Sequence, residues 1–455
     1  MVEDDDNVLA SSIHSDKVNV SSKVTNISKV EIDKRINNAV TIEEEGKYNG
    51  GSNSSTYLTM YGDHRVPSSL AALPPWLQEY IAWNQKERTT KDPKDLKYIV
   101  MKCIKSQTRC GGFSDRLRPL PFYLLLAQKT NRIVCIYWDR PMRLEHYLQV
   151  PKNGLDWACP STFEGDTGIR DVNAKFLIRM DEKVKKYALQ LVSRIKSSKQ
   201  TYIALDTSQS TDQINCMNNI FNAYSYQDRM PKVSKWMHIN MMEHIFRIMF
   251  KPIPAIARNI NVTMTKLGLV EGNYTSIHLR TRYPTSRLKH ILGKNMSALD
   301  HGHFTPKFDG RYKSYLMQLT NNAVECGYLL DTKRPIVFIS DSTDLVDHVI
   351  ENKINVRGLK VQILGVKQRP NIIHLEFDNT NLEDTFYPLF EDLLIMGGGS
   401  CVAHGLGSFG AFGAGLTGNR CRAMHRNYRG APIKCPNNDT SIELIPITNN
   451  ELMLD

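Results

Sequence analysis

Three short segments hold residue types that could grip an anion. The first reads CGGFSDRLR from Cys110 to Arg118. Gly111 and Gly112 let backbone amides come close to a ligand, and a helix that starts beyond them favours negative charge at its N-terminus. Phe113 and Ser114 complete the turn, Arg116 and Arg118 add cationic donors, and Asp115 offers a carboxylate beside them. No Gly-Lys-Ser/Thr follows, so this is not a Walker loop. The plain alternative is a tight strand-to-helix turn with solvated arginines.

The second segment is Ile277-His278-Leu279-Arg280-Thr281-Arg282. An arginine at the end of a buried strand needs an anionic partner to offset its desolvation, and its planar fork can clamp a diphosphate through two hydrogen bonds. Alternatively, His278 is a core histidine and the arginines pair with structural carboxylates. The third runs from Asp392 through a Gly-rich strand to Gly407-Ser408-Phe409. Ser408 and the amides after it suit phosphate oxygens. Asp392 suits a ring N–H or a ribose hydroxyl, unless it is an exposed helix residue and Ser408 an N-cap. Asp341-Ser342, after the run Val337-Phe338-Ile339-Ser340, either rims a pocket or caps the next helix.

These segments need elements to hold them. The apolar pattern predicts strands over 98–101, 132–138 and 202–205, and helices over 117–129, 182–197, 236–250 and 255–267. A second series has strands over 274–279, 335–340, 361–364 and 400–404. Its helices lie over 311–327, 343–352, 382–396 and 409–416. Strands alternating with helices imply parallel sheets with right-handed crossovers, and ligands then bind beyond the carboxyl ends of the strands. Residues 1 to about 75 are rich in Ser, Asn, Asp and Lys, too polar to offset ordering entropy, and read as a flexible leader.

The chain has 455 residues, 41% of them hydrophobic and 23% charged, enough for two core-bearing domains. A net charge of +11 favours anionic partners, but the basic residues are dispersed and no nucleic-acid-binding signature appears. No apolar run reaches the ~18 residues that a membrane span needs, and the acidic start lacks a signal peptide's regions. Nine cysteines without a C-x-x-C pair argue against structural zinc. Disulfides using Cys103 or Cys110 stay open, with one thiol left over. Sequons head at Asn19, Asn26, Asn53, Asn261, Asn273, Asn295 and Asn438. Asp4-Asp5-Asp6 is the only D-x-D and lies in the polar leader, so no metal site is expected.

In this order, the three segments resemble the GDP-fucose-dependent fucosyltransferases, in particular the protein O-fucosyltransferase and α1,6-fucosyltransferase relatives. Gly111 to Arg116 is similar to that superfamily's glycine turn, His278 to Arg280 to its H-[LI]-R strand end, and Asp392 with Ser408-Phe409 to its closing segment. Phe250-x-Pro252 fits the same pattern. Ser114 stands where a glycine is usual, Gly407 where a second hydroxyl residue is common, and no acidic residue follows Arg280 closely.

The resemblance implies an α/β, GT-B-like fold. Two Rossmann-like domains, over 76–265 and 266–455, would face a central cleft after a leader over 1–75. It implies inverting, metal-independent transfer of fucose to a hydroxyl of a protein Ser/Thr or a glycan in the ER or Golgi lumen. GDP-fucose is the donor, with no further cofactor, nucleic acid or membrane span in this chain. Gly111, Gly112, Phe113, Ser114, Arg116, His278, Leu279, Asp341, Asp392, Ser408 and Phe409 would meet the donor. Arg280 would stabilise the departing diphosphate, and Asp115 would serve as base or orienter for the acceptor. The alternatives are a silent nucleotide-sugar or glycan binder of the same fold, or a transferase using another nucleotide-sugar.

Overall fold

Short runs of β-branched and aromatic residues alternate with longer amphipathic stretches, and the chain forms two parallel sheets accordingly. The computed structural model describes residues 61–104, 110–161, 163, 169–173, 183–206, 235–281, 283–284, 303–304, 308–369, 382–405, 407–418, 421–426 and 432–435. Cys216, Arg282 and residues 1–60 of the expected leader lie outside them. The rest of that leader is folded: Tyr61 and Val66 are buried, and Val66–Ala72 forms helix α1. Its apolar side chains find a partner that composition could not reveal, since Tyr61 packs edge-on against Phe246 at 5.7 Å.

The first sheet holds β1 (Tyr98–Cys103), β2 (Ile133–Trp138), β3 (Ile169–Asn173) and β4 (Tyr202–Asp206). Its order is β2-β1-β4-β3, all parallel. Helix α2 (Pro75–Thr90) precedes it. After β1 come α3 (Phe113–Leu117) and α4 (Leu120–Thr130). The single helix expected over 117–129 is thus two, broken at Pro119, which lacks an amide to continue the ladder. α4 ends on Asn131 at φ 52°, a left-handed cap. Beyond α5 (Lys183–Ser197), fully buried Arg132 donates to the carbonyls of Ile195 (3.1 Å) and Ser198 (3.0 Å), tying that helix end to the sheet.

Helices α6 (Lys235–Met249) and α7 (Pro254–Lys266) lead to the second sheet. It contains β5 (Thr275–Leu279), β6 (Ile336–Ser340), β7 (Ile363–Leu364), β8 (Cys401–His404) and β9 (Arg422–Met424). The order is β7-β6-β5-β8-β9, again all parallel. Within this half the strands therefore run 3-2-1-4-5, the doubly wound arrangement, and the order reverses between β5 and β8. Both strands are buried along their whole length, as expected of central parallel strands. Helices α8 (Gly310–Leu330), α9 (Thr343–Glu351), α10 (Tyr387–Gly397) and α11 (Ser408–Leu416) fill the crossovers. The fold is α/β and GT-B-like, as expected, though one hydrophobic cluster reaches from Ile99 and Val134 to Val402 and Phe412 across both halves. Among the described residues, no helix is long and apolar enough to cross a membrane.

Eight of the nine cysteines are paired, as Cys103–Cys110, Cys135–Cys159, Cys326–Cys435 and Cys401–Cys421.

The second sheet also stacks three buried histidines at its carboxyl edge. His278 on β5 lies opposite His404 on β8, whose carbonyl accepts from the amide of His425 at 2.9 Å. The His425 ring donates through Nε2 to the His278 carbonyl at 3.0 Å, which fixes its tautomer. Burial holds all three neutral, with pKa values depressed to about 4 for His278, about 3 for His404 and about 4 for His425. Because these values lie below that of a free imidazole, their contribution is fully present above pH ~6.5 and is lost as pH falls through the folded values. Stability is expected to drop on acidification from pH 6.5 by about 1.4 kcal/mol per pH unit per histidine. Urea melts between pH 7.5 and 5 check this: His404→Gln should flatten the acid slope, and an unchanged slope would remove the histidines as its cause.

Candidate active site

The glycine turn is an elbow at the carboxyl end of β1, and its own side chains hold it. The disulfide Cys103–Cys110 returns the chain to the strand end. Gly111 adopts φ +77°, and a Cβ there would stand 2.8 Å from the Cβ of Asp115. Only glycine suits both demands. The Gly112 amide donates to Asp115 Oδ2 at 3.1 Å, while Arg118 Nη2 lies 3.8 Å from Oδ1. Arg116 donates from Nε to the Gly111 carbonyl (2.9 Å) and from Nη1 to the Arg140 carbonyl (2.5 Å), and it covers the Trp138 ring at 5.1 Å. Asp115, expected to serve as base, thus caps the elbow with both oxygens. Arg116, expected to meet the donor, is 5% exposed and braces the turn from behind. Ser114 is buried, and its hydroxyl has no hydrogen-bond partner among the described residues.

Phe113 carries the elbow into the second half. Its ring sits 4.8 Å from that of Phe390 on α10 and 6.2 Å from that of Phe412 on α11, with Trp138 of β2 behind it at 6.1 Å. The expectation that its side chain lines an open cleft gives way to packing. Phe113 is buried because these rings surround it.

On the other side of α11 stand His278 and Arg280. Arg280, half-buried, follows β5 directly, and a Cβ on Gly407 would come within 2.7 Å of its Nη1. Gly407, at φ +95°, caps α11, so the helix N-terminus and the guanidinium share one spot. Ser408 is the first helical residue there and not the N-cap. Phe409 lies 5.2 Å from the His278 ring, ring centre to ring centre. Gly410 leaves room for that imidazole, since a Cβ would meet its Nδ1 at 2.7 Å. Leu279 departs from expectation: strand alternation turns its side chain into the core, leaving only its backbone at the site.

The neighbours of Arg280 were not legible in the sequence. Asp341 Oδ1 accepts from both the amide (2.6 Å) and the hydroxyl (2.7 Å) of Thr281, and the Tyr312 hydroxyl donates to the Thr281 carbonyl at 3.0 Å. Arg426 Nη1 reaches the Arg280 carbonyl at 3.4 Å. Asp341 therefore anchors the strand end that bears Arg280, while Ser342 caps α9 through the Leu345 amide. Arg280 and Ser408 lie at the carboxyl ends of β5 and β8, the two strands between which the sheet order reverses. That position is where doubly wound sheets bind nucleotides. A fixed cation beside a helix N-terminus can hold a diphosphate there.

Asp392 is a little removed. It is 3% exposed on α10, paired with Arg369, and it lines a pocket with Val337 to Ser340 and Thr343 at the carboxyl end of β6. Burial raises its carboxyl to about 6 against the opposing pull of Arg369.

No known family profile matches the sequence, and no curated protein does either. The fold is similar to several solved structures. Arabidopsis thaliana FUT1, a mutant in complex with GDP, aligns over 80% of each chain at 11% identity and TM-score 0.47. Fucosyltransferase NodZ from Bradyrhizobium aligns over 75% of this chain and all of its own at 12% identity and TM-score 0.40. POFUT1 in complex with GDP-fucose aligns over 74% of this chain and 99% of its own at 12% identity and TM-score 0.32.

Proposed function

We propose that the protein transfers fucose from GDP-fucose to a hydroxyl, with inversion and without a metal ion. The observation that carries this reading is the meeting of Arg280 with the N-terminus of α11 at the point where the second sheet's order reverses. The ordered resemblance of the three segments supplies the donor class. In this mechanism the acceptor oxygen attacks the anomeric carbon while the bond to the β-phosphate oxygen breaks. The departing GDP keeps the electron pair, and the acceptor's proton passes to that phosphate oxygen or to solvent. Arg280, anchored through Thr281, and the first amides of α11 meet the charge that grows on the diphosphate. Donors fixed in advance stabilise the transition state more than the ground state.

His278 is neutral at physiological pH and contributes an N–H or van der Waals contact, not a second cation. Ser408 and Phe409 flank the nucleotide, and Asp392 accepts from the guanine N–H groups. Gly111 and Gly112 offer backbone to the sugar side. The acceptor is a protein Ser/Thr or a glycan. Four disulfides accord with an oxidising compartment, which supports the secretory lumen. One observation favours a second reading, a silent donor-binding protein: Asp115 is tied to Gly112 and Arg118, so the elbow presents no unengaged carboxylate to the acceptor.

GDP release from GDP-fucose separates the two, since a silent binder is stabilised by GDP but does not turn over. Arg280→Lys keeps the charge and loses the fork, so turnover should fall by about 10²–10³, the value of one oxyanion donor, with the melting temperature unchanged. Wild-type rates in that variant would remove Arg280 from the mechanism. Gly407→Ala forces a side chain into φ +95° and against Arg280. It should destabilise the fold by about 1–3 kcal/mol and weaken GDP binding in calorimetry.

A further inference from the structure

Asp392 does not stand alone at its pocket. Arg369, from the segment after β7, pairs with Asp392 through Nη1 and with Glu391 Oε2 through Nη2 at 2.7 Å. The same Nη2 donates to the Pro388 carbonyl at 2.9 Å. Glu391 is held in turn by Asn259 Nδ2 of α7 at 2.8 Å. Arg369 and Asp392 both line the pocket whose wall runs from Val337 to Ser340. One guanidinium therefore serves two adjacent carboxylates of α10 and pins the helix start through Pro388. A surface carboxylate would need no such support. An Asp that must present charge in a nearly dry pocket does, because burial alone would neutralise it.

We propose that Arg369 is a positioning residue for Asp392, fixing its charge and orientation so that the pocket selects a base presenting two adjacent N–H donors, as guanine does. This rests on the reading of Asp392 as the base-binding group and extends it to base selectivity. A carboxylate pairs with the ring N–H and exocyclic amine of guanine together. A protonated carboxyl has lost one acceptor and cannot. Uracil and adenine offer no such pair. Among the described residues, the charged groups acting on Asp392 are Arg369, which lowers its pKa, and Glu391, which raises it. The other polar residues lining the pocket (Thr263, Ser340 and Thr343) are neutral.

Titration calorimetry of GDP and UDP between pH 5.5 and 9 tests the assignment on the full chain. Wild-type GDP affinity should hold at neutral pH and decline as pH falls through about 6, the value for Asp392. Arg369→Gln should weaken GDP binding about 30-fold at pH 7 and recover most of it by pH 9, because losing the cation moves the carboxyl upward. Arg369→Lys should retain the wild-type pH profile at reduced affinity. Glu391→Gln, which leaves the cation in place, should extend GDP binding to lower pH, and it tests the idea even if Arg369→Gln does not fold. UDP should bind weakly to every variant with no such profile. A pH-independent loss in Arg369→Gln, or a Glu391→Gln profile matching wild type, overturns the role of Arg369 while leaving GDP binding intact. Failure of the wild type to bind GDP at any pH overturns the base-site reading itself.

Discussion

The ring of Phe113 lies where the first sheet ends and the second begins, enclosed by Trp138 of β2, Phe390 of α10 and Phe412 of α11. Its position follows from the elbow, because Gly111 can turn the chain through a left-handed conformation and deliver the next aromatic residue into the opposite half. Helix α6 adds to this junction through Phe246, which packs against Phe412 at 6.2 Å and against Tyr61 of the amino-terminal segment. Aromatic edges meeting faces prefer particular angles as well as burial, so such a cluster sets an orientation and does more than exclude water. The distance between a backbone turn in one half and a cation in the other depends on that junction.

The candidate site is built from outside itself. Arg280 draws its position from its neighbour Thr281 and from Asp341, Tyr312 and Arg426, which lie on one helix and beyond two other strands. The His278 ring fits because Gly410 lacks a side chain, and its backbone is fastened by His425. Buried polar groups held this way rigidify a site, because each one left unsatisfied would carry a full desolvation cost. The same logic applies at the elbow, where Asp115 and Arg116 bond to backbone.

Local chemistry was readable in the sequence, and the partnerships were not. The left-handed turn at Gly111, the strand end at Arg280 and the helix start near Ser408 follow from residue type and short-range pattern. So do the parallel sheets, whose strands Ile336–Ser340 and Cys401–His404 are apolar up to their last residue. What escaped depends on separation along the chain. Asp392 reads either as a base-binding carboxylate or as an exposed helix residue, and only Arg369, from the segment after β7, shows it buried and paired. Asp341 reads as a pocket rim until Thr281 is found donating to it. Strands β3 and β9 are too short or too polar to stand out. The fold of residues 61–75 depends on a helix more than 160 positions away, so no local composition could announce it.

The four disulfides divide evenly, two within the first half and two within the second. None of them stitches one half to the other. Each lobe is hardened internally, while the contacts between them are noncovalent: stacked rings and aliphatic packing, with polar pairs such as Asn259–Glu391 and His146–Glu383. Covalent stiffness thus guards the elbow and the switch-point strands separately, and the gap between them is left to the weaker, reversible forces that a visiting substrate can outbid.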